Sequence, residues 1–333
     1  MTNDITPNSQ SIPESIPASR EVRTIAGFWA RILALLIDTI VLGIVGIVLG
    51  FMLFDQFSRL GVWGLLIGFS IAFLYFGLLN SRIGKGQTIG KRIMRIKVVS
   101  PQGEYISIAR SFLRYSALGL PFFLNGAMIP PSILITPIVL LMTLLVFGFG
   151  GAIIYLYICN GRTRQTLHDL IARTCVVKSK STAELNLPAV WKGHLYVTGA
   201  WLLLSVIFPV VTTSLATRGV PFADLLQLQK TLMDSGNLHM ASVFIGQEAG
   251  IQGNINYLRI DAVWKSVPYS IERAEKELAS IVLREYPDAI KKDLIVVTVA
   301  YGYDIGISSA WRSATDQASP VEWMARTQAL RSR

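Results

Sequence analysis

Residues 31–55 read RILALLIDTIVLGIVGIVLGFMLFD, and from Ile32 to Phe54 the only ionisable side chain is Asp38. A helix rises about 1.5 Å per residue, so this run reaches roughly 35 Å, enough to cross a hydrocarbon core of about 30 Å. A carboxylate at that depth costs on the order of 2.5–3.5 kcal/mol on insertion scales, so it requires a partner or a role. Arg31 lies seven residues before Asp38, close to two turns, which puts both on one face about 10 Å apart. That distance is too long for an ion pair, so each must find its counter-charge elsewhere.

Composition agrees with a membrane protein. The 333-residue chain is 52% hydrophobic and 16% charged, with net charge +10, against about 25% charged residues in an ordinary soluble domain. Residues 1–213 hold 18 Lys+Arg and 8 Asp+Glu, and residues 214–333 hold 13 of each. The excess therefore belongs entirely to the apolar half, where the bias of basic loops toward the cytoplasm explains it and nucleic-acid binding is not needed. Cys159 and Cys175 form no zinc-finger spacing or disulfide framework and read as free thiols.

Residues 1–24 are rich in Ser, Pro and Asn and predict a disordered tail. Further apolar segments run over 60–79, 106–124, 133–158 and 194–211. The second of these carries Arg110 and Arg114, expected to snorkel toward the preceding basic loop. Residues 55–59 read as a short loop, and Asn125-Gly126 with Pro130-Pro131 as a hairpin. The loops 80–105 and 160–192 are strongly basic, so both are expected in the cytoplasm. Five crossings follow, with four in a membrane domain over 25–180 and a fifth at 190–213. The N-terminus is then inside the cell and residues 214–333 outside. The fold class predicted is a membrane all-α bundle of about five transmembrane helices, with a small cytoplasmic β-hairpin and a small extracytoplasmic α+β domain. The hairpin is expected from Ile96–Val99 and Glu104–Ile106 around Ser100-Pro101-Gln102-Gly103, with Thr174–Val177 as a third β-prone run, so that a small cytoplasmic sheet ties the two basic loops together. In the C-terminal part, strand-like 255–264, helical 269–286, strand-like 294–300 and a return over 304–311 predict a β-α-β-β unit, preceded by an amphipathic helix at 221–233.

The motifs Phe28-Trp29-Ala30-Arg31 with Ile37-Asp38, Gly86-Gln87-Thr88-Ile89-Gly90-Lys91-Arg92, and Arg164-Gln165-Thr166-Leu167-His168-Asp169 occur in order. With Ile96–Val99 and Ala172–Val177, this set over about residues 25–178 resembles the RDD family of bacterial membrane proteins. The resemblance implies an inner-membrane helical domain and a transport role, with cation/proton exchange as its specific form. No family resemblance is found for residues 214–333.

The candidate charge network is therefore Arg31, Asp38 and Asp169, with His168 beside it. Asp38 reads either as a titrating carrier group or as an anchor bonded to Tyr75, Asn80 or Thr143. Arg31 and Asp169 are expected at a common depth as an ion pair. Lys85, Lys91, Arg92 and Arg95 are candidate contacts for anionic lipid at about 1 kcal/mol each. Gly46/Gly50 and Gly64/Gly68 have GxxxG spacing, which predicts close packing of the first two helices, with homodimerisation as the sharper alternative. A phosphate loop is excluded at 84–92, because Arg92 stands where a magnesium-binding Ser/Thr is required. No cofactor, metal or enzymatic constellation is expected. Transport of a small ion or solute leads. The alternative is a non-transporting scaffold, or an assembly or sensor protein acting on a partner through its C-terminal domain.

Overall fold

Helix α1, Phe28–Met52, has two distinct faces. Leu36, Ile40, Ile44, Ile47 and Phe51 recur at helical spacing and are exposed, as lipid-facing positions are. Ala34, Asp38, Leu42, Gly46 and Gly50, each four apart, are buried. The computed structural model describes residues 25–127, 137–180, 189–216, 222–250 and 253–331. The expected tail at 1–24 and the Pro130-Pro131 turn lie outside the described residues.

After α1 come α2 (Phe54–Leu60), a 3-10 turn and α3 (Gly64–Leu79). The expected short loop at 55–59 is thus helical. Asp55 in its first turn and Arg59 in its last complement the helix dipole, and Phe57 is buried edge-on against Tyr303. Next follow α4 (Ile89–Ile93), β1 (Ile96–Val99) and α5 (Ile108–Leu124). α6 (Pro137–Thr143) continues through a π-turn into α7 (Gly150–Cys159), and α8 (Leu167–Ile171), β2 (Cys175–Lys178) and α9 (Lys192–Ala216) complete this half.

Among the described residues, four helical stretches are long and apolar enough to cross a membrane: Phe28–Met52, Phe54–Leu79, Pro137–Cys159 and Lys192–Thr212. α5 has 17 residues, about 25 Å. It starts beside β2, where Arg110 donates to the carbonyls of Ala172 and Arg173. Its far end places Phe123 against Gly306 of the C-terminal region.

The expected hairpin is not formed as drawn. β1 pairs antiparallel with β2, Ile96 opposite Lys178 and Val99 opposite Cys175, and Ile25 bridges to Val177. Residues 100–104 close on themselves instead, Gly103 N–H donating to Ser100 O and Ser100 N–H to Glu104 O. Arg82 N–H then takes the Ile106 carbonyl. The two basic loops are therefore joined to each other at one end of the bundle.

The C-terminal region runs α10 (Phe222–Asp234), β3 (Leu238–Gly250), β4 (Gly253–Trp264), α11 (Ile271–Glu285), β5 (Leu294–Asp304), β6 (Ser309–Ala318) and α12 (Pro320–Arg331). The sheet order is β3-β4-β5-β6, with β4 and β5 parallel and the outer pairs antiparallel. Its core gathers Leu228, Leu232, Leu258, Leu278, Val297 and Trp323, among others. The Trp323 indole donates to Ile295 O. β3 and α12 extend the expected β-α-β-β unit. A capping box starts α12, where the Glu322 carboxylate accepts from the Ser319 N–H and hydroxyl.

β5 continues through Gly302, past the strand end expected near Ala300, so the β5–β6 turn falls at 305–308. That turn enters the helical half. Tyr303 and Ile305 are buried with Phe57, and Leu49, Leu53 and Ile67 pack around them. The GxxxG glycines serve this contact. A Cβ on Gly46 would sit 2.7 Å from the Ser308 Cβ, and one on Gly64 2.8 Å from the Asp304 carbonyl oxygen. A Cβ on Gly68 would overlap the Ile305 carbonyl oxygen, and one on Gly50 the Tyr303 hydroxyl. The spacing marks close backbone approach as expected, but the visitor is the turn between β5 and β6.

Gly68→Val should lower the thermal unfolding midpoint of the purified protein, because overpacking against a backbone atom costs about 1–3 kcal/mol. It should also open the β5–β6 turn to limited proteolysis, whereas Gly199→Val, on a helix position with open space around it, should leave both readouts unchanged.

Candidate functional site

Two buried carboxylates organise the basic end. Asp169 lies on α8, a five-residue helix whose Thr166 N-cap forms a capping box with it. Its side chain is 0% exposed. Arg31 of α1 donates to Oδ2 at 2.7 Å, and Arg114 of α5 donates to Oδ1 through Nη2 at 2.8 Å and Nε at 3.1 Å. The Thr174 hydroxyl donates to Oδ1, and the Thr166 hydroxyl and N–H to Oδ2. Arg31 also donates to the Arg164 carbonyl. The Arg31–Asp169 pair expected from sequence is therefore present. Arg114 does not snorkel. It is buried and completes the site, its guanidinium taking the second oxygen of a carboxylate whose first is held by Arg31.

Burial alone raises the Asp169 pKa, but the charges of Arg114, His168 and Arg31 outweigh it and hold the carboxyl well below its ordinary range. His168 is buried beside the Thr166 hydroxyl. Burial pushes its pKa down to about 3, against the opposing pull of Asp169.

Asp38 is also 0% exposed. The Tyr75 hydroxyl donates to its Oδ1 at 2.7 Å, Gly90 N–H to Oδ1 at 2.8 Å and the Thr88 hydroxyl to Oδ2 at 2.5 Å. Of the three partners expected from sequence, the structure brings Tyr75 to Asp38. Thr88 and Gly90 were missed because they belong to the loop, which folds back so that Asp38 caps the start of α4. Gly90 permits this contact, since a Cβ there would overlap the Ala34 carbonyl oxygen.

Of the four candidate lipid-contact residues, Lys85, Arg92 and Arg95 are exposed and Lys91 is half-buried. Exposed Ile83, Ile89 and Ile93 accompany them. Lys91 turns inward with its ammonium over the Phe76 ring, 5.7 Å from the centroid. Burial, with Arg114 adding to it, lowers its pKa to about 7.

Lys91, Arg31, Arg114, His168 and Asn80 meet at one end of a cavity of about 330 Å³, whose walls include Leu35, Leu118 and Ile154. A second cavity of about 150 Å³ shares Leu35, Phe76, Tyr115 and Leu118 with the first and ends at Gly306 and Ile307.

Residues 25–173, which carry both carboxylates and the cavity's basic end, match the sequence profile of the RDD family. That match covers the stretch whose motifs resemble the same family. Two similar proteins come from Bacillus subtilis (strain 168). The uncharacterized protein YckC is 26% identical over 162 residues, 48% of this chain and 90% of the relative. The uncharacterized protein YxaI is 28% identical over 173 residues, 46% of this chain and 96% of the relative. No solved structure matches the chain.

The two arginines dictate how a charge exchange must fail. In the double variant Arg31→Asp with Asp169→Arg, the new arginine faces Arg114, so unfolding in detergent should remain at least as easy as in Asp169→Asn. Breaking a buried pair costs about 3–5 kcal/mol. Recovery to wild-type stability would show that Arg114 is not a partner.

His168 gives a pH dependence with a defined sign. Its folded pKa near 3 lies below the ordinary value of about 6.5, so the unfolded chain binds the extra proton and stability falls as pH drops from about 6.5 toward 3. Thermal unfolding between about pH 6.5 and 5 avoids the window near pH 4 in which Asp169 starts to matter. Over that range wild type should lose about 1–2 kcal/mol that His168→Asn does not lose.

Proposed function

We propose that this is a multi-pass protein of the bacterial inner membrane that couples a C-terminal recognition domain to an RDD helical platform. In this reading the basic loops lie in the cytoplasm, as the positive-inside rule asks. α5 is the return crossing that makes five, and residues 222–331 lie outside. The observation that carries the proposal is the β5–β6 turn seated among Gly46, Gly50, Gly64 and Gly68. A domain held only by a tether needs no such socket, whereas one that reports a bound partner to the bundle does. Asp38 acts as an anchor in this reading. Each of its oxygens accepts from fixed donors, which suits a lock more than a group that must cycle its proton. No catalytic role is assigned.

The second reading is transport of a small ion or solute, including cation/proton exchange. It is favoured by the two adjoining cavities between the basic cluster and the β5–β6 turn, with that turn as an outer plug. One experiment separates the two. Vesicles containing the protein are loaded in turn with Na⁺, K⁺ and proton gradients, and dissipation is followed with and without Asp38→Asn. The coupling reading expects no protein-dependent flux in any gradient, together with protection of Ile305→Cys, a buried position of the turn, from a water-soluble maleimide in a Cys159→Ala/Cys175→Ala background. Flux abolished by Asp38→Asn, or ready labelling of that cysteine in native membranes, overturns it.

A further inference from the structure

The adjoining cavities have a polar floor and an apolar shaft, and their walls are not satisfied by the protein alone. At the floor, Arg31 and Arg114 share Asp169, but among the described residues Lys91 has no carboxylate within ion-pair distance. Its ammonium donates to the Thr88 hydroxyl over a long 3.5 Å. Counting Asp38 beside them, three basic side chains face two carboxylates, so a protonated Lys91 leaves an excess of one positive charge. Asn80 is 2% exposed, and its side-chain oxygen has no hydrogen-bond partner. The shaft is lined by Leu35, Tyr115 and Leu118 and continues to Phe122 and Ile307. Its side wall includes Ile154 and Ile158 of α7, both largely exposed, and a bilayer around the apolar helices would meet the cavity on that side.

We propose that this space is a binding site for a membrane phospholipid with a net-negative headgroup, its phosphate at Lys91 and Asn80 and one acyl chain along Leu118 toward the β5–β6 turn. A soluble anion would use the floor and leave the apolar shaft empty. A neutral lipid would fill the shaft and leave the excess positive charge unmet. An anionic amphiphile satisfies both, and the side opening supplies it from the bilayer. The Asn80 amide serves the headgroup in either orientation, accepting from a glycerol hydroxyl or, turned about, donating to a phosphate oxygen. The phosphate would also restore charge to an ammonium that burial now discourages. Because the chain's end meets Ile307, the lipid touches the same turn that joins the sheet domain to the helices. Of the four residues expected from the sequence to contact lipid, Lys85, Lys91, Arg92 and Arg95, this site uses the inward-facing Lys91.

The test uses the full-length protein in phosphatidylcholine nanodiscs titrated with phosphatidylglycerol, followed by native mass spectrometry of the released protein and its retained lipid. Phosphatidylglycerol should be retained in preference to phosphatidylcholine. Lys91→Gln should lower that retention about fivefold, the effect of roughly one unit charge near anionic lipid, and Lys91→Arg should restore it. Leu118→Trp, which fills the shaft and leaves every charge in place, should lower retention of both lipids. Lys85→Gln should change nothing. Equal retention of the two lipids overturns the proposal, as does unchanged retention in both Lys91→Gln and Leu118→Trp. Displacement of phosphatidylglycerol by inorganic phosphate alone, or by equimolar oleate, overturns the lipid as occupant in favour of a free anion or a fatty acid.

Discussion

A single buried carboxylate with two guanidiniums holds the basic end together. Asp169 on α8 receives Arg31 from α1 and Arg114 from α5, so three elements far apart in sequence meet at one group. Taking these charges out of water costs several kcal/mol each, and ion pairing alone seldom returns more than that. What the arrangement provides is specificity: any slip of α1, α5 or α8 leaves a charge unpaired in a dry site. The threonine hydroxyls and the Thr166 N–H complete the acceptor capacity of Asp169, which makes the cluster tolerable as well as specific.

Asp38 applies the same logic to the other basic loop. Through Thr88 and Gly90 it holds the start of α4 against α1, while Tyr75 ties in α3. Each loop is thus pinned by its own carboxylate, and the β1–β2 ladder then joins loop to loop. Arg110, donating to the carbonyls of Ala172 and Arg173, secures the approach to β2. Removal of one pin therefore strains the ladder as well as the helix.

Much of this was legible in the residues. The apolar run with a lone Asp38 announces a span and a polar partner on a neighbouring helix, with Tyr75, Asn80 and Thr143 as candidates. Tyr75 fills that role. Thr88 and Gly90 were not legible, because periodicity describes an element and is silent about a loop that folds back onto one. Arg114 was misjudged for a related reason: an arginine in an apolar helix reads as snorkelling until a buried acid is known to lie opposite it. The GxxxG pairs gave the right inference about backbone approach and the wrong visitor, since spacing carries no information about which chain arrives. β3 was missed although Ala241, Val243 and Ile245 alternate. Phe244 on the opposite face hides the alternation, and the pairing with β4 that fixes the strand is nonlocal. The S-x-x-E start of α12, Ser319 to Glu322, is a local capping signal that needs no tertiary context to be read.

The buried stripe of α1 links these features in a single line. Ala34 lies against Gly90 and Asp38 holds α4. Leu42 packs with Phe76 and Tyr115. Gly46 meets Ser308, and Gly50 meets Tyr303. A helix transmits axial and rotational displacement with little loss because its hydrogen bonds run along its length. Rotation of α1 by a fraction of a turn would therefore break the Asp38 contacts and press side chains into the β5–β6 turn together. The converse also holds: a change in the sheet domain that withdraws the turn frees the glycine face, and the one rigid element it frees carries both Arg31 and Asp38 at its other end. Insertion of a turn into a helical bundle thus places the sheet domain and the basic charge clusters on the same mechanical part.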